Sequence, residues 1–131
     1  MSASENELFA ACPVSHILPR DLGAGRVILC SGEVESDLLA AFRGRTGPVL
    51  DCGRYRCYAF WRYADFTLIL AGIGTGSLEP LLWEILRPGI VKKIVLIGTA
   101  GAVTAKAPAL GTALPISQAW SCGGGIDGEL G

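Results

Sequence analysis

Hydrophobic positions in this chain come as short, continuous, β-branched runs, each broken by glycine and most followed by a stretch with apolar residues every three or four positions. Continuous runs are the pattern of strands covered on both faces, and the three-to-four spacing is that of an amphipathic helix. Arg26-Val27-Ile28-Leu29-Cys30 is the first run, and Ser31-Gly32 ends it. Over 33–42, Val34, Leu38, Leu39, Ala41 and Phe42 take helical spacing, while acids in the first turn suit the positive end of the helix dipole. Gly44 and Gly47-Pro48 stop that helix.

Segments 49–51, 54–63 and 66–71 read as successive strands, with Ala64-Asp65 as a short turn and frequent aromatics over 55–63 favouring strand over helix. The loop Gly72-Ile73-Gly74-Thr75-Gly76-Ser77 follows. Ser77 is the expected N-cap of a second helix, Pro80 falls in its first turn, and Leu81, Leu82, Ile85 and Leu86 form its apolar face until Pro88-Gly89. Next, Ile94-Val95-Leu96-Ile97 predicts a buried strand behind Lys92-Lys93, delivering the small-residue loop Gly98-Thr99-Ala100-Gly101. A loop over 103–110, a strand over 112–120 and a glycine-rich tail over 121–131 complete the pattern, and residues 1–15 read as a mobile arm. The expectation is one α/β domain over 16–120, with a central, mostly buried mixed sheet and flanking helices. Ligands of open α/β sheets bind at the carboxyl ends of the strands, so two glycine loops there would form one pocket.

Composition narrows the classes. The chain has 131 residues, half of them hydrophobic, and a mean hydropathy of +0.44, which fits a doubly covered sheet, an oligomer interface or part of a larger fold. A net charge of -1 without a basic block gives no footprint for nucleic acid or a membrane surface. Apolar runs are far shorter than the ~20 residues of a spanning helix. Acids rather than lysines near the N-terminus argue against a secretory signal, so a cytoplasmic location is expected. The five cysteines form no CxxC pair and there is a single histidine, so neither a disulfide framework nor a metal site is expected.

Glycine loops after strands let backbone N–H groups approach an anion or a sugar closely. A dinucleotide fold would need G-x-G-x-x-G with an acid some twenty residues on, and a P-loop would need Gly-Lys-Ser/Thr; the glycines here are Gly72, Gly74 and Gly76, and the Gly-Lys-Ser/Thr element is missing. Taken together, the stretches GIGTGS, VKKIVLIGTAGAV and ALGTALPISQAW resemble the nucleoside phosphorylase and nucleosidase superfamily, especially its hexameric purine and uridine phosphorylase branch. His16, Gly32, Arg54 and Gly72 fall at matching intervals upstream.

That resemblance implies a phosphorylase-like three-layer architecture, of which this chain would be the N-terminal half. It further implies phosphorolysis of the N-glycosidic bond of purine or pyrimidine nucleosides, phosphate as co-substrate, no other cofactor, and a homo-oligomer. Gly32, Gly98 and Thr99 match phosphate-holding positions, and Arg54 matches an arginine lent to the phosphate of a neighbouring subunit. His16 matches a histidine lent to the ribose 5′-hydroxyl; Thr75 and, in the second loop, Gly101 fall on the nucleoside side.

Departures open two other readings. Where the phosphorylases carry arginines, this chain has Glu35-Ser36 and Leu96. Leu96 brings it closer to hydrolytic relatives, in which a carboxylate activates water, and Glu35 or Asp37 would be that general base. The family's acidic ribose-binding segment and leaving-group aspartate have no counterpart before Gly131, which leaves a truncated, inactive homologue acting as a binding or oligomerisation module as the third reading.

Overall fold

The computed structural model describes residues 14–43, 47–48, 50–101, 105–106 and 108–118. After a 3-10 turn at Pro19–Leu22 come β1 (Arg26–Ser31), α1 (Glu35–Phe42), β2 (Leu50–Tyr55), β3 (Tyr58–Arg62), β4 (Thr67–Ala71), α2 (Thr75–Leu86) and β5 (Lys93–Ile97). The strands form one mixed sheet in the order β2-β3-β4-β1-β5. β1 runs parallel to both β4 and β5, while β3 is antiparallel to β2 and β4. The chain is therefore an α/β protein with a five-stranded mixed sheet and two helices.

Alternation along the central strands assigns the two faces. Val27 and Leu29 of β1, Ile69 of β4 and Phe60 of β3 pack with Leu81 and Ile85 of α2. Cys30, Leu68 and Trp61 point the other way and pack with Leu38 of α1. Each face thus carries one helix, which is why β1, β3 and β4 read as continuous apolar runs rather than alternating ones. Each fully buried leucine or isoleucine in these layers contributes about 1.5–3 kcal/mol relative to exposure. Polar groups at the strand starts are satisfied: the Thr67 hydroxyl, fully buried, donates to the Asp21 carbonyl at 2.5 Å.

Four expectations need correction. Segment 54–63 is not one strand but a hairpin, reversing at Arg56-Cys57 with Arg56 in the left-handed region at φ 55°. No glycine or asparagine marks that turn, and Gly53, at φ 102°, instead serves a register shift within β2. α2 begins at Thr75, with Gly74 in the cap position; Ser77 lies inside the helix and its hydroxyl donates to the carbonyls of Gly72 (2.7 Å) and Gly74 (2.9 Å). β5 is not buried: it lies at the sheet edge, and Val95, Leu96 and Ile97 are 42%, 58% and 44% exposed. The described part of segment 112–120, residues 112–118, contains no strand, since Leu114 and Ile116 find no sheet to pack on; residues 119–120 lie outside the described residues.

The chain divides into two compact units, Met1–Ala100 and Gly101–Gly131. In the second, Thr112 closes a turn onto the Ala109 carbonyl through its N–H at 3.1 Å and its hydroxyl at 2.6 Å, with Gly111 at φ 84°. Most of the expected arm 1–15 and the whole tail 121–131 lie outside the described residues. The arm's last two residues are anchored: Val14 N–H and Ser15 N–H donate to the two carboxylate oxygens of Glu84 at 3.1 and 2.7 Å, and the Ser15 hydroxyl adds a third bond. Among the described residues no helix is long and apolar enough to cross a membrane.

Candidate functional site

Register fixes which loops meet. Ser31 pairs with Ala71 and Cys30 with Ile97, so β1, β4 and β5 end at one edge of the sheet. Because Ala59 pairs with Leu70 and Tyr55 with Tyr58, the β2–β3 turn lies at that same edge. Gly32, the Gly72–Thr75 loop, the Gly98-Thr99 loop and Arg54-Tyr55 are thereby collected at the carboxyl edge from distant parts of the sequence.

His16 joins them through Tyr55, the two ring centroids lying 3.9 Å apart, and it holds a left-handed φ of 59°. The Arg56 guanidinium lies over the same tyrosine at 5.3 Å. Two non-glycine residues in the left-handed region therefore flank one ring, each at a cost of about 1 kcal/mol or more.

Around the first glycine loop, hydrogen bonds leave little slack. Gly32 N–H donates to the Ala71 carbonyl at 3.0 Å, extending the β1–β4 ladder by one residue, and the Ser31 hydroxyl donates to Gly72 at 2.9 Å. The Tyr58 hydroxyl donates to the Ser77 carbonyl at 2.7 Å. Space at Gly72 is tight: a Cβ there would lie 3.1 Å from Cys57 Cβ. At Gly32, with φ 73°, a Cβ would come within 2.7 Å of the Ile73 side chain. Thr75 opens α2 and is exposed. It also lines a cavity of about 600 Å³ that runs along α2 between Leu78, Leu82 and Leu86.

The second glycine loop meets an acid. Thr99 N–H donates to Glu33 Oε1 at 3.1 Å. Two residues on, Glu35 takes Arg54: Nε lies 3.1 and 3.0 Å from the two carboxylate oxygens and Nη2 closes the fork. Asp51 adds a weaker contact to Arg54 Nη1 at 3.4 Å, and the guanidinium lies 5.6 Å from the Trp61 ring centroid. The hydrogen bond from Arg54 holds the Glu35 carboxyl below its ordinary range and raises the Arg54 pKa further. Cys30, just below this loop, is fully buried, and burial pushes its thiol up to about 11.

Among the site residues expected from sequence, Gly32, Arg54, Glu35, Thr75, Gly98, Thr99 and His16 thus lie at or against this edge, while Gly101 falls in the second unit. Sequence reasoning missed Glu33 as the partner of Thr99. The available signal was that loops after adjacent parallel strands must be neighbours, but β1–β5 adjacency had to be known first. It also missed Cys57 and Tyr58, which brace the Gly72 loop only because 54–63 is a hairpin. Among the described residues no group of three or more His, Cys, Asp or Glu could hold a metal ion.

No protein-family profile, curated protein or solved structure matches the chain.

Proposed function

We propose that this chain binds a nucleoside at the carboxyl edge of its sheet and serves cleavage of the N-glycosidic bond, with inorganic phosphate as the attacking group. One observation carries the reading: the residues that the superfamily resemblance assigns to phosphate and ribose come together at one sheet edge. They include Gly32, Thr75, Gly98 and Thr99; Arg54 and His16, which the resemblance assigns to a neighbouring subunit's site, lie beside them in the same chain. The helix–sheet–helix layering agrees with the phosphorylase-like three-layer architecture. Phosphate oxygens would accept hydrogen bonds from the Thr99 N–H and the Arg54 guanidinium, donors suited to an oxyanion. Both now hold carboxylates, Glu33 and Glu35, which occupy the positions of oxyanion oxygens and must be displaced by the co-substrate.

Free-base release from purine and pyrimidine nucleosides, followed by chromatography with and without phosphate, tests this. Phosphate-dependent release with ribose 1-phosphate as the sugar product is expected. Absence of both base release and saturable nucleoside binding by the folded chain refutes it.

A second reading, hydrolysis, is favoured by those same two carboxylates and by Leu96 in place of the family's arginine. Water would attack the anomeric carbon while the Glu35 carboxylate, once parted from Arg54, takes its proton; the electron pair of the broken bond leaves with the base nitrogen. Undiminished base release without phosphate, yielding free ribose, selects this reading over phosphorolysis.

A further inference from the structure

Segment 14–18 belongs to no strand, yet Val14 and Ile17 pack into the core that Leu81 and Ile85 of α2 share. Without a ladder, its backbone N–H groups are met by side chains. Val14 and Ser15 donate to the two carboxylate oxygens of Glu84 at 3.1 and 2.7 Å, and the Ser15 hydroxyl donates to the same carboxylate. The Ile17 N–H donates to the Ser15 hydroxyl oxygen at 3.3 Å, and the Leu18 N–H to Asp21 Oδ2 at 3.1 Å. Ser15 is buried while His16, next to it, is exposed. The bonds on either side hold His16 at φ 59°, a left-handed conformation that histidine keeps only where its surroundings impose it. That conformation accompanies the imidazole's place against Tyr55, ring centroids 3.9 Å apart.

Glu84 stands on rigid ground. Leu81 and Ile85, on either side of it in sequence, are fully buried, and the same helix begins at Thr75 with Gly74 of the first glycine loop in its cap position. From Thr75 to Glu84 is about 13 Å of helix. One element thus places the glycine loop directly and the histidine through Val14 and Ser15. We propose that Glu84 is a positioning residue: it holds His16 in the left-handed conformation that presents the imidazole, beside Tyr55, to the ribose 5′-hydroxyl. The role for the ribose rests on the nucleoside reading, in which His16 serves a neighbouring subunit's site; the hold on the ring does not. A carboxylate suits the task because both of its oxygens accept, so two adjacent N–H groups and a hydroxyl converge on one side chain. Glutamine has the same shape but one accepting oxygen, and its amide would turn an N–H against a donor. Glu84→Gln therefore frees one side of His16.

His16 is the chain's single histidine, so its ring gives one Hε1 proton signal. The Tyr55 ring current displaces that signal in the wild-type chain, and Tyr55→Leu defines its position without the ring. At fixed pH, Glu84→Gln is expected to shift the signal toward the Tyr55→Leu position while the β1 and β4 amide signals stay unchanged. Ser15→Ala removes the hydroxyl that bonds Glu84 and accepts from Ile17; it should shift the signal the same way, and it carries the test if Glu84→Gln does not fold. Calorimetric binding of a nucleoside and of its 5′-deoxy analogue supplies the second readout. The wild-type chain should prefer the nucleoside by about tenfold, the worth of one hydrogen bond, and Glu84→Gln should lose that preference while binding the analogue as before. General damage to the fold would weaken both ligands alike.

A His16 signal that keeps its wild-type position in both folded variants overturns the proposal. So does a preference for the 5′-hydroxyl that survives Glu84→Gln, or equal binding of the two ligands by the wild-type chain. A wild-type chain that binds neither ligand refutes the nucleoside reading and the role for the ribose with it; the histidine signal alone then decides whether Glu84 sets the ring.

Discussion

Replacing Glu33 and Glu35 together by alanine should convert a weak anion site into a stronger one. In the wild-type chain the Thr99 N–H and the Arg54 guanidinium are occupied by these carboxylates. The Arg54 and Glu35 side chains are 49% and 34% exposed, so solvent screens the pair, and each competitor is worth about 0.5 kcal/mol by the standard of exposed ion pairs. A phosphate dianion at those donors would also lie roughly 6 Å from each carboxylate. Coulomb repulsion there is about 1.4 kcal/mol per acid in bulk water, and about half that at physiological ionic strength. Removing both acids therefore favours phosphate by about 2 kcal/mol, or roughly thirtyfold in Kd. Isothermal titration with inorganic phosphate at constant ionic strength and pH 7.5 measures it. An affinity within twofold of wild type would refute the assignment of these donors to an oxyanion. Acidification should not mimic the mutation near neutrality. The Glu35 pKa is lowered by Arg54, so its contribution to stability is present above the ordinary carboxylate pKa and is lost only as pH falls through the depressed folded value.

Three further outcomes follow from the packing. Leu81→Ala, at a fully buried position between α2 and the sheet, should cost about 2–5 kcal/mol in urea unfolding; less than 1 kcal/mol would mean that α2 does not pack as described. Gly32→Ala should cost about 1–2 kcal/mol, chiefly through its left-handed φ, because the Ile73 side chain that a Cβ would meet is 85% exposed and can swing aside; an unchanged unfolding midpoint would contradict that backbone. Alkylation at pH 8 followed by peptide mapping should label exposed Cys57 in the native chain and spare Cys30, whose buried thiol titrates at about 11; equal labelling would show that the α1 face is open.

Much of the central sheet was legible because β1 and β4 are short continuous apolar runs, and that pattern survives any uncertainty about neighbours. The same rule misread β5. Ile94 to Ile97 has the composition of a strand covered on both faces, but burial depends on what lies beside it, and periodicity carries no information about sheet order. The hairpin at Arg56-Cys57 was illegible for a local reason: tight turns usually announce themselves through residues that tolerate positive φ, and here arginine adopts it. Tertiary bonding supplies the missing constraint, since Tyr58 is tied to Ser77 and Cys57 packs against Gly72. The donors expected at Thr99 and Arg54 were readable as residue types. Their occupancy was not, because it depends on the loop after β1 lying beside the loop after β5.

That occupancy links stability to ligand binding. A strand edge that presents an N–H and a guanidinium for an oxyanion leaves positive potential concentrated there, and Glu33 and Glu35 neutralise it from within the chain. The carboxylates are tethered two residues apart on the segment opening α1, so they compete at a high effective concentration but with single negative charges. A dianion competes with greater charge and without the tether. Displacement then frees two acids beside the bound phosphate, and their repulsion limits affinity more than the lost ion pair does, since the Coulomb contribution estimated above exceeds that of an exposed pair. If phosphate is the co-substrate, the Glu33 and Glu35 side chains must both turn off their donors on binding. If water is, Glu35 need only part from Arg54.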